Sequence, residues 1–274
     1  MPAISTNTAA NSAVRYLNIN SAQESSALAK LSSGSRITSA SDDAAGLAIS
    51  TRISSDVTTL QQAATNASQA TAILQTADGG ASNISDILAR MKSLASESAS
   101  GTTTDSSRAY INSEFTQLTS EIDSIASGTR YSSQSLLDGS SVFASGVSVL
   151  VGSSGSDTIT ITLTSLTASS LGVSSLDVSS LSDAASALDT LDTAIDTVSA
   201  ARASIGAQES RFNFSSDSIS TQTQNLQSAN SAIKDVDIAA EQATLSSAEV
   251  KTQAAVSAES AANQMPQYLL KLLG

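Results

Sequence analysis

From Leu191 to Ile233 an apolar residue returns at every seventh position: Leu191, Val198, Ile205, Phe212, Ile219, Leu226 and Ile233. A period of seven keeps one face of an α-helix turned toward a partner, whereas a half-buried strand alternates every second residue. Little interrupts a helix here, because Gly206 is the only glycine between Gly172 and Gly274 and prolines stand only at positions 2 and 266. The pattern predicts one helix over about 182–231, roughly 75 Å long at about 1.5 Å per residue. A helix of that length with a narrow apolar stripe requires companion helices.

The companions are legible upstream. Ile53, Leu60, Leu74 and Leu88 share a seven-residue phase, broadened by Ile73, Ile84, Ile87, Met91 and Leu94. The Asp78-Gly79-Gly80 step is expected to loosen this helix, since glycine costs about 1 kcal/mol in a helix interior. Ile111, Phe115, Leu118, Ile122 and Ile125 predict a third helix that stops at Gly128. Beyond Tyr131 the pattern changes to VSVLV (147–151), a Gly/Ser turn and DTITITLTSL (157–166), whose alternation predicts a β-hairpin. A Ser-rich connection over 169–182 then leads into the long helix, with no room for another globular domain. Only 3% of the residues are aromatic and none is Trp, which fits helices packed through Leu, Ile, Val and Ala better than a compact globule. The expected fold is mainly α, a long antiparallel helical coiled-coil bundle with a small β-hairpin in the middle of the chain.

The composition also narrows function. A net charge of −12 opposes binding to nucleic acid and to anionic membrane surfaces. The absence of Cys and His removes thiol chemistry, the commonest general base and the commonest transition-metal ligands. A glycosidase needs only two carboxylates, but the chain offers no aromatic-lined cleft. The expectation is therefore no enzyme, no metal and no cofactor. No stretch is apolar enough to span a bilayer, and the first twenty residues lack the continuous apolar run of a cleavable signal.

At the two ends, Val14, Leu17, Leu28 and Leu31 form one weak apolar seam, and Leu245, Val256, Leu269 and Leu272 form another. Neither suffices for a stable isolated helix. They are expected to be mobile in a monomer and to order against neighbouring copies. Ser39 to Asp43 precede AAGLAIS as helix caps rather than as a catalytic hydroxyl-carboxylate cluster. The GSSGSDTIT stretch (152–160) reads as a hairpin turn rather than a lone Ca²⁺-binding nonapeptide. Asn66, Asn83 and Asn213 open N-glycosylation-like triplets that arise easily by chance in so Ser-rich a chain.

LSSGSRITSASDDAAGLAIS (31–50), GTRYSSQSLLDG (128–139), VSVLVGSSGSDTITITLTSLTASSLGV (147–173) and ANQMPQYLLKLL (262–273) together resemble the bacterial flagellins, and the resemblance covers nearly the whole chain. One difference is Ala232, where that family commonly shows Arg. The resemblance implies an N-terminal inner-core helix (1–40) paired with a C-terminal one (236–274), with outer-core helices (41–138), a hairpin and connection (139–182) and a long outer-core helix (183–235) between them. Gly34, Arg36, Asp42 and Asp43 then mark the inter-domain turn.

The implied function is a subunit of the extracellular flagellar filament, exported without a cleaved leader and polymerising with itself through the terminal seams. The implied partners are other copies, the flagellar export apparatus and an export chaperone, and hook-associated and cap proteins. By the same resemblance, Arg90, Leu94 and Glu114 are expected to contact a host Toll-like receptor, with a subunit interface as the alternative use of that surface. O-linked sugars on the Ser/Thr of 139–182 fit the same resemblance. The alternatives are a hook-filament junction protein, which the core-only middle and intact hairpin disfavour, and a surface adhesin or polysaccharide-binding protein, which would need an aromatic or basic patch.

Overall fold

The computed structural model describes residues 6–273, with side chains described as far as Tyr268. Its elements run α1 (Thr8–Ser33), α2 (Ala44–Ser98), α3 (Asp105–Gly128), β1 (Arg130–Tyr131), β2 (Gln134–Ser135), α4 (Val142–Ser145), β3 (Val147–Leu150), β4 (Thr158–Ile161), α5 (Leu181–Lys234) and α6 (Ile238–Leu273). They form two compact units, one of Met1–Ser55 with Asn225–Gly274 and one of Asp56–Gln224.

The first unit is built on α1 and α6, which lie side by side. Asn7 closes the N-terminus of α1 by accepting the Ala10 N–H at 3.1 Å, and its own amide donates to the Ala262 carbonyl at 2.8 Å. The covered positions of α1 are Ala10, Ala13, Leu17, Asn20, Glu24, Ala27 and Leu31, spaced alternately three and four, with Lys30 half-buried beside the last. Those of α6 are Glu241, Leu245, Ala248, Thr252, Ala255, Glu259, Ala262 and Pro266, on the same spacing. This is a coiled-coil seam built chiefly from alanine and polar side chains, and the Glu24 carboxylate accepts from the Thr252 hydroxyl at 3.2 Å within it.

In the second unit α2, α3 and α5 carry the core. Leu60, Leu74, Ile84, Leu88 and Met91 of α2, Phe115 and Ile122 of α3, and Leu191, Val198, Ile205, Phe212 and Ile219 of α5 are buried. The seven-residue stripe of α5 is thus a packing stripe from Leu191 to Ile219, while Leu226 and Ile233 are only half-buried. Side-chain bonds run antiparallel along α2 and α5: Gln75 to Glu209 at 2.9 Å, Arg202 to Asp78 at 2.9 Å, and Lys92 to Asp192. Arg108, itself buried, closes the turn between α2 and α3 by donating to the Ser98 and Ser100 carbonyls, each at 2.9 Å, and to Asp105.

Two expectations are corrected. The helix does not loosen at Gly79-Gly80, because α2 runs unbroken to Ser98. A Cβ on Gly80 would stand 2.4 Å from Thr129 Oγ1 and 2.9 Å from Leu137 Cδ1, so this glycine admits the segment after α3 against the helix. The second hairpin strand ends at Ile161, not at residue 166. Beyond it the backbone bonds elsewhere: the Gln208 amide accepts from Thr162 N–H at 2.9 Å and donates to its carbonyl at 3.0 Å, and Leu163 and Leu166 donate to Phe143 and Leu137. The Ser-rich connection before α5 is packed, with Leu171, Val173 and Val178 buried.

A short β1–β2 hairpin and the single turn α4 have no periodic signal in the sequence. The β1–β2 turn places Ser132 and Ser133 at φ 48° and 70°, a left-handed conformation that costs a non-glycine residue about 1–2 kcal/mol.

Candidate assembly surface

The turn motif around Gly34 forms a set of helix caps inside the first unit. Gly34 ends α1 in the left-handed conformation, φ 69°. Ser35 then bridges to Asp235 in antiparallel fashion, with Arg36 N–H donating to the Lys234 carbonyl at 2.6 Å and Val236 N–H to the Gly34 carbonyl at 3.2 Å. The Arg36 guanidinium donates to the Ile233 carbonyl at 2.8 and 3.1 Å, satisfying the C-terminal end of α5 where cations are favoured, and it reaches Asp43 at 3.4 Å.

The two aspartates have separate tasks. Asp42 accepts the N–H groups of Ser39 and Thr38 at 2.9 and 3.0 Å and the Thr38 hydroxyl at 2.9 Å. Those bonds, the Ser39 backbone first, lower its pKa from 3.8 to about 2. Asp43 accepts the Gly46 N–H at 2.8 Å, which caps α2 and holds its own carboxyl below the usual range, with Arg36 adding to the effect. A side chain at Gly46 would meet Asp43 Oδ2 at 2.5 Å and Ile37 Cδ1 at 2.8 Å, so the cap requires glycine at that position.

The expected seam residues divide into two groups. Leu17 and Leu31 are half-covered and Leu245 is 8% exposed, all on the α1–α6 seam within the chain. Leu245 is therefore an intrachain residue, not one left for a neighbour, because the seam of α6 passes through it. Val14, Leu28 and Val256 lie off that seam and are 38%, 58% and 46% exposed. The side chains of Leu269 and Leu272 lie outside the described residues.

The exposed group is larger than the sequence reading held. Tyr16, Ile19, Ile49, Ile238, Val250, Met265 and Tyr268 are also exposed on this unit. On α1, Tyr16 and Ile19 are large apolar residues off the three-four track of covered positions. Polar charge is distributed in the opposite sense. The first unit carries eight acidic and seven basic side chains, and the second carries seventeen acidic and six basic.

Arg90 and Glu114 join α2 to α3 through an exposed ion pair at 2.6 Å. Leu94 is 2% exposed and belongs to the core. It cannot present its side chain to a receptor without unfolding the helix face that buries it, so it is withdrawn from that group.

Fold and surface together define a helix-built structural subunit whose free apolar area is concentrated on its terminal helix unit. Residues 4–142 match the bacterial flagellin N-terminal helical region, and residues 188–273 match the bacterial flagellin C-terminal helical region. Over 272 residues the chain is 35% identical to a flagellin of Halalkalibacterium halodurans, covering 98% of this chain and 99% of that protein. It is 34% identical over 283 residues to a flagellin of Listeria monocytogenes, covering 98% and 99%. It is also 33% identical over 271 residues to the flagellar filament 30.7 kDa core protein of Treponema maltophilum, covering 94% and 95%. The crystal structure of Bacillus cereus flagellin aligns with a TM-score of 0.52 at 28% identity, covering 61% of this chain and 94% of that one. The chain belongs to the bacterial flagellin family.

Proposed function

We propose that this chain is a structural subunit of the bacterial flagellar filament, and that it polymerises through the outward apolar side chains of α1 and α6. The observation that supports this surface is the exposure of Val14, Tyr16, Leu28, Val250 and Met265 on helices whose inward seam is built chiefly from alanine and polar side chains. Exposed apolar side chains in such number mark an interface. At about 25 cal/mol per Å² of apolar area, repetition around a closed tube makes the summed burial large. The near-balanced charge of the same unit removes the repulsion that would oppose close packing there.

The filament role places the working protein outside the cell. With it we infer export through the flagellar channel without a cleaved leader, handling by an export chaperone, and contact with hook-associated and cap proteins. Arg90 and Glu114, as an exposed pair, remain the part of the receptor-contact reading that accessibility allows.

Deletion of residues 2–20, or of Gln253 to Gly274, tests the surface. The second unit has its own core and should keep a cooperative melt in circular dichroism. Sedimentation should show monomers only, and long filaments from either truncation would refute the terminal helices as the polymerisation element.

A further inference from the structure

We propose that the cleft beside the β1–β2 turn receives a carboxylate from a neighbouring copy of this chain, with Arg130 as its cationic anchor. The inference deepens the filament reading above and rests on it. The cleft holds about 370 Å³ and is lined by Arg130, Ser133, Gln134, Asp138, Ser140 and Ser141 among others. Arg130 uses only Nε within the chain, donating to the Ser127 carbonyl at 2.7 Å, and its two terminal nitrogens have no partner among the described residues. The side chains of Ser133 and Gln134 likewise form no hydrogen bond among the described residues, and Ser141 Oγ is buried without a partner. The Ser133 hydroxyl and the Gln134 amide therefore stand as open donors beside the guanidinium, and a carboxylate accepts from such groups.

The charge of the second unit identifies that acceptor. Of its six basic side chains, Arg90, Lys92, Arg108 and Arg202 are paired with Glu114, Asp192, Asp105 and Asp78. Arg130 and Arg211 have no ion-pair partner among the described residues, and only Arg130 lines this cleft of open donors. Copies packed together bring surfaces of seventeen acids and six bases against one another. A free guanidinium is where such surfaces attract instead of repel, and its planar fork matches a carboxylate.

Asp138 also lines the cleft, but its two oxygens already accept the Ser140 N–H at 2.9 Å and the Ser140 hydroxyl at 2.7 Å. Its negative charge weakens the pull on small free anions. An acid held on an adjacent subunit is present at high effective concentration and overcomes that penalty.

The test is the critical concentration for polymerisation of the full chain, read by sedimentation, with the melt of the monomer followed by circular dichroism. Arg130→Gln should raise that concentration about tenfold or more, the range of one charge-assisted bond, without moving the monomer melt. Arg130→Lys should fall between, and the gap between wild type and Arg130→Gln should narrow as salt is added. Gln134→Ala removes an exposed amide that bonds nothing among the described residues, so it should leave the melt unchanged while increasing the critical concentration several-fold. Should Arg130→Gln lower the melt, Gln134→Ala decides the matter. Polymerisation of Arg130→Gln and Gln134→Ala at the wild-type concentration overturns the inference and leaves the filament reading intact. A wild-type chain that never polymerises overturns both.

Discussion

Phe212 and Phe214 stand two residues apart on α5 and differ as far as two phenylalanines can: Phe212 is 0% exposed and Phe214 is 76% exposed. Truncating Phe212 to alanine removes a ring that buries about 200 Å². At about 25 cal/mol per Å², that area corresponds to roughly 5 kcal/mol before the residual methyl is credited. Measured Phe→Ala losses in cores, about 3–5 kcal/mol including the cavity term, agree with it. Taking about 4 kcal/mol and about 2–4 °C per kcal/mol for a unit of this size, the melt should fall by about 8–16 °C. Phe214→Ala buries nothing that is lost and gains slightly in helix propensity, so its effect should stay within about 0.5 kcal/mol. Thermal unfolding of the two monomeric variants side by side is the assay. Equal shifts, or a larger one for Phe214→Ala, would refute the assignment of α5's packing face and with it the core described for this unit.

Further predictions concern the caps and the turn. Gly46→Ala should displace Asp43 and fray the first turn of α2, costing about 1 kcal/mol or more in the urea midpoint; an unchanged midpoint and unchanged amide exchange at residues 44–48 would refute it. Asp42 is held at about 2 against an ordinary 3.8, so its contribution is present above the ordinary value and is lost as pH falls through about 2. The Thr38 and Ser39 amides should therefore be protected at about pH 5 and open on acidification through that window, while Asp42→Asn should show no such dependence in hydrogen exchange. Arg108→Met should cost about 3 kcal/mol in chemical unfolding, because it strands the Ser98 and Ser100 carbonyls; Arg108→Lys, which can serve only part of the set, should fall between.

The second unit was legible where periodicity carried the information. The stripe through Leu191, Val198, Ile205, Phe212 and Ile219 and the run from Ile111 to Ile125 give helix, phase and buried face from spacing alone. The segment after Ile161 was not legible, because the alternation of TITITLT continues past it to Thr164. What ends β4 is Gln208, distant in sequence, whose amide occupies the backbone groups of Thr162 that a further strand would need. Gly80 was misread for the same reason. Propensity gives its local cost, but the compensating approach of Thr129 and Leu137 is tertiary.

The first unit shows a subtler failure. Seams are ordinarily sought among the largest apolar side chains, and that rule selected Val14, Leu28 and Val256 together with Leu17, Leu31 and Leu245 as one class. The buried positions are instead Ala27, Ala248, Ala255 and Ala262 with Leu245, and the half-buried ones include small or polar Ala10, Ala13, Asn20, Glu24 and Thr252. Small residues let two helices approach closely but bury little area each, so the intrachain pairing of α1 and α6 gains less from apolar burial than a leucine seam would. Leu17, Leu31 and Leu245 apart, the large side chains that would normally strengthen such a pair are exposed, among them Val14, Tyr16, Leu28, Val250, Val256 and Met265. On the filament reading proposed above, α1 and α6 gain their further stabilisation by meeting neighbouring copies, and residues that make an inadequate core in one subunit serve as a surface shared by many.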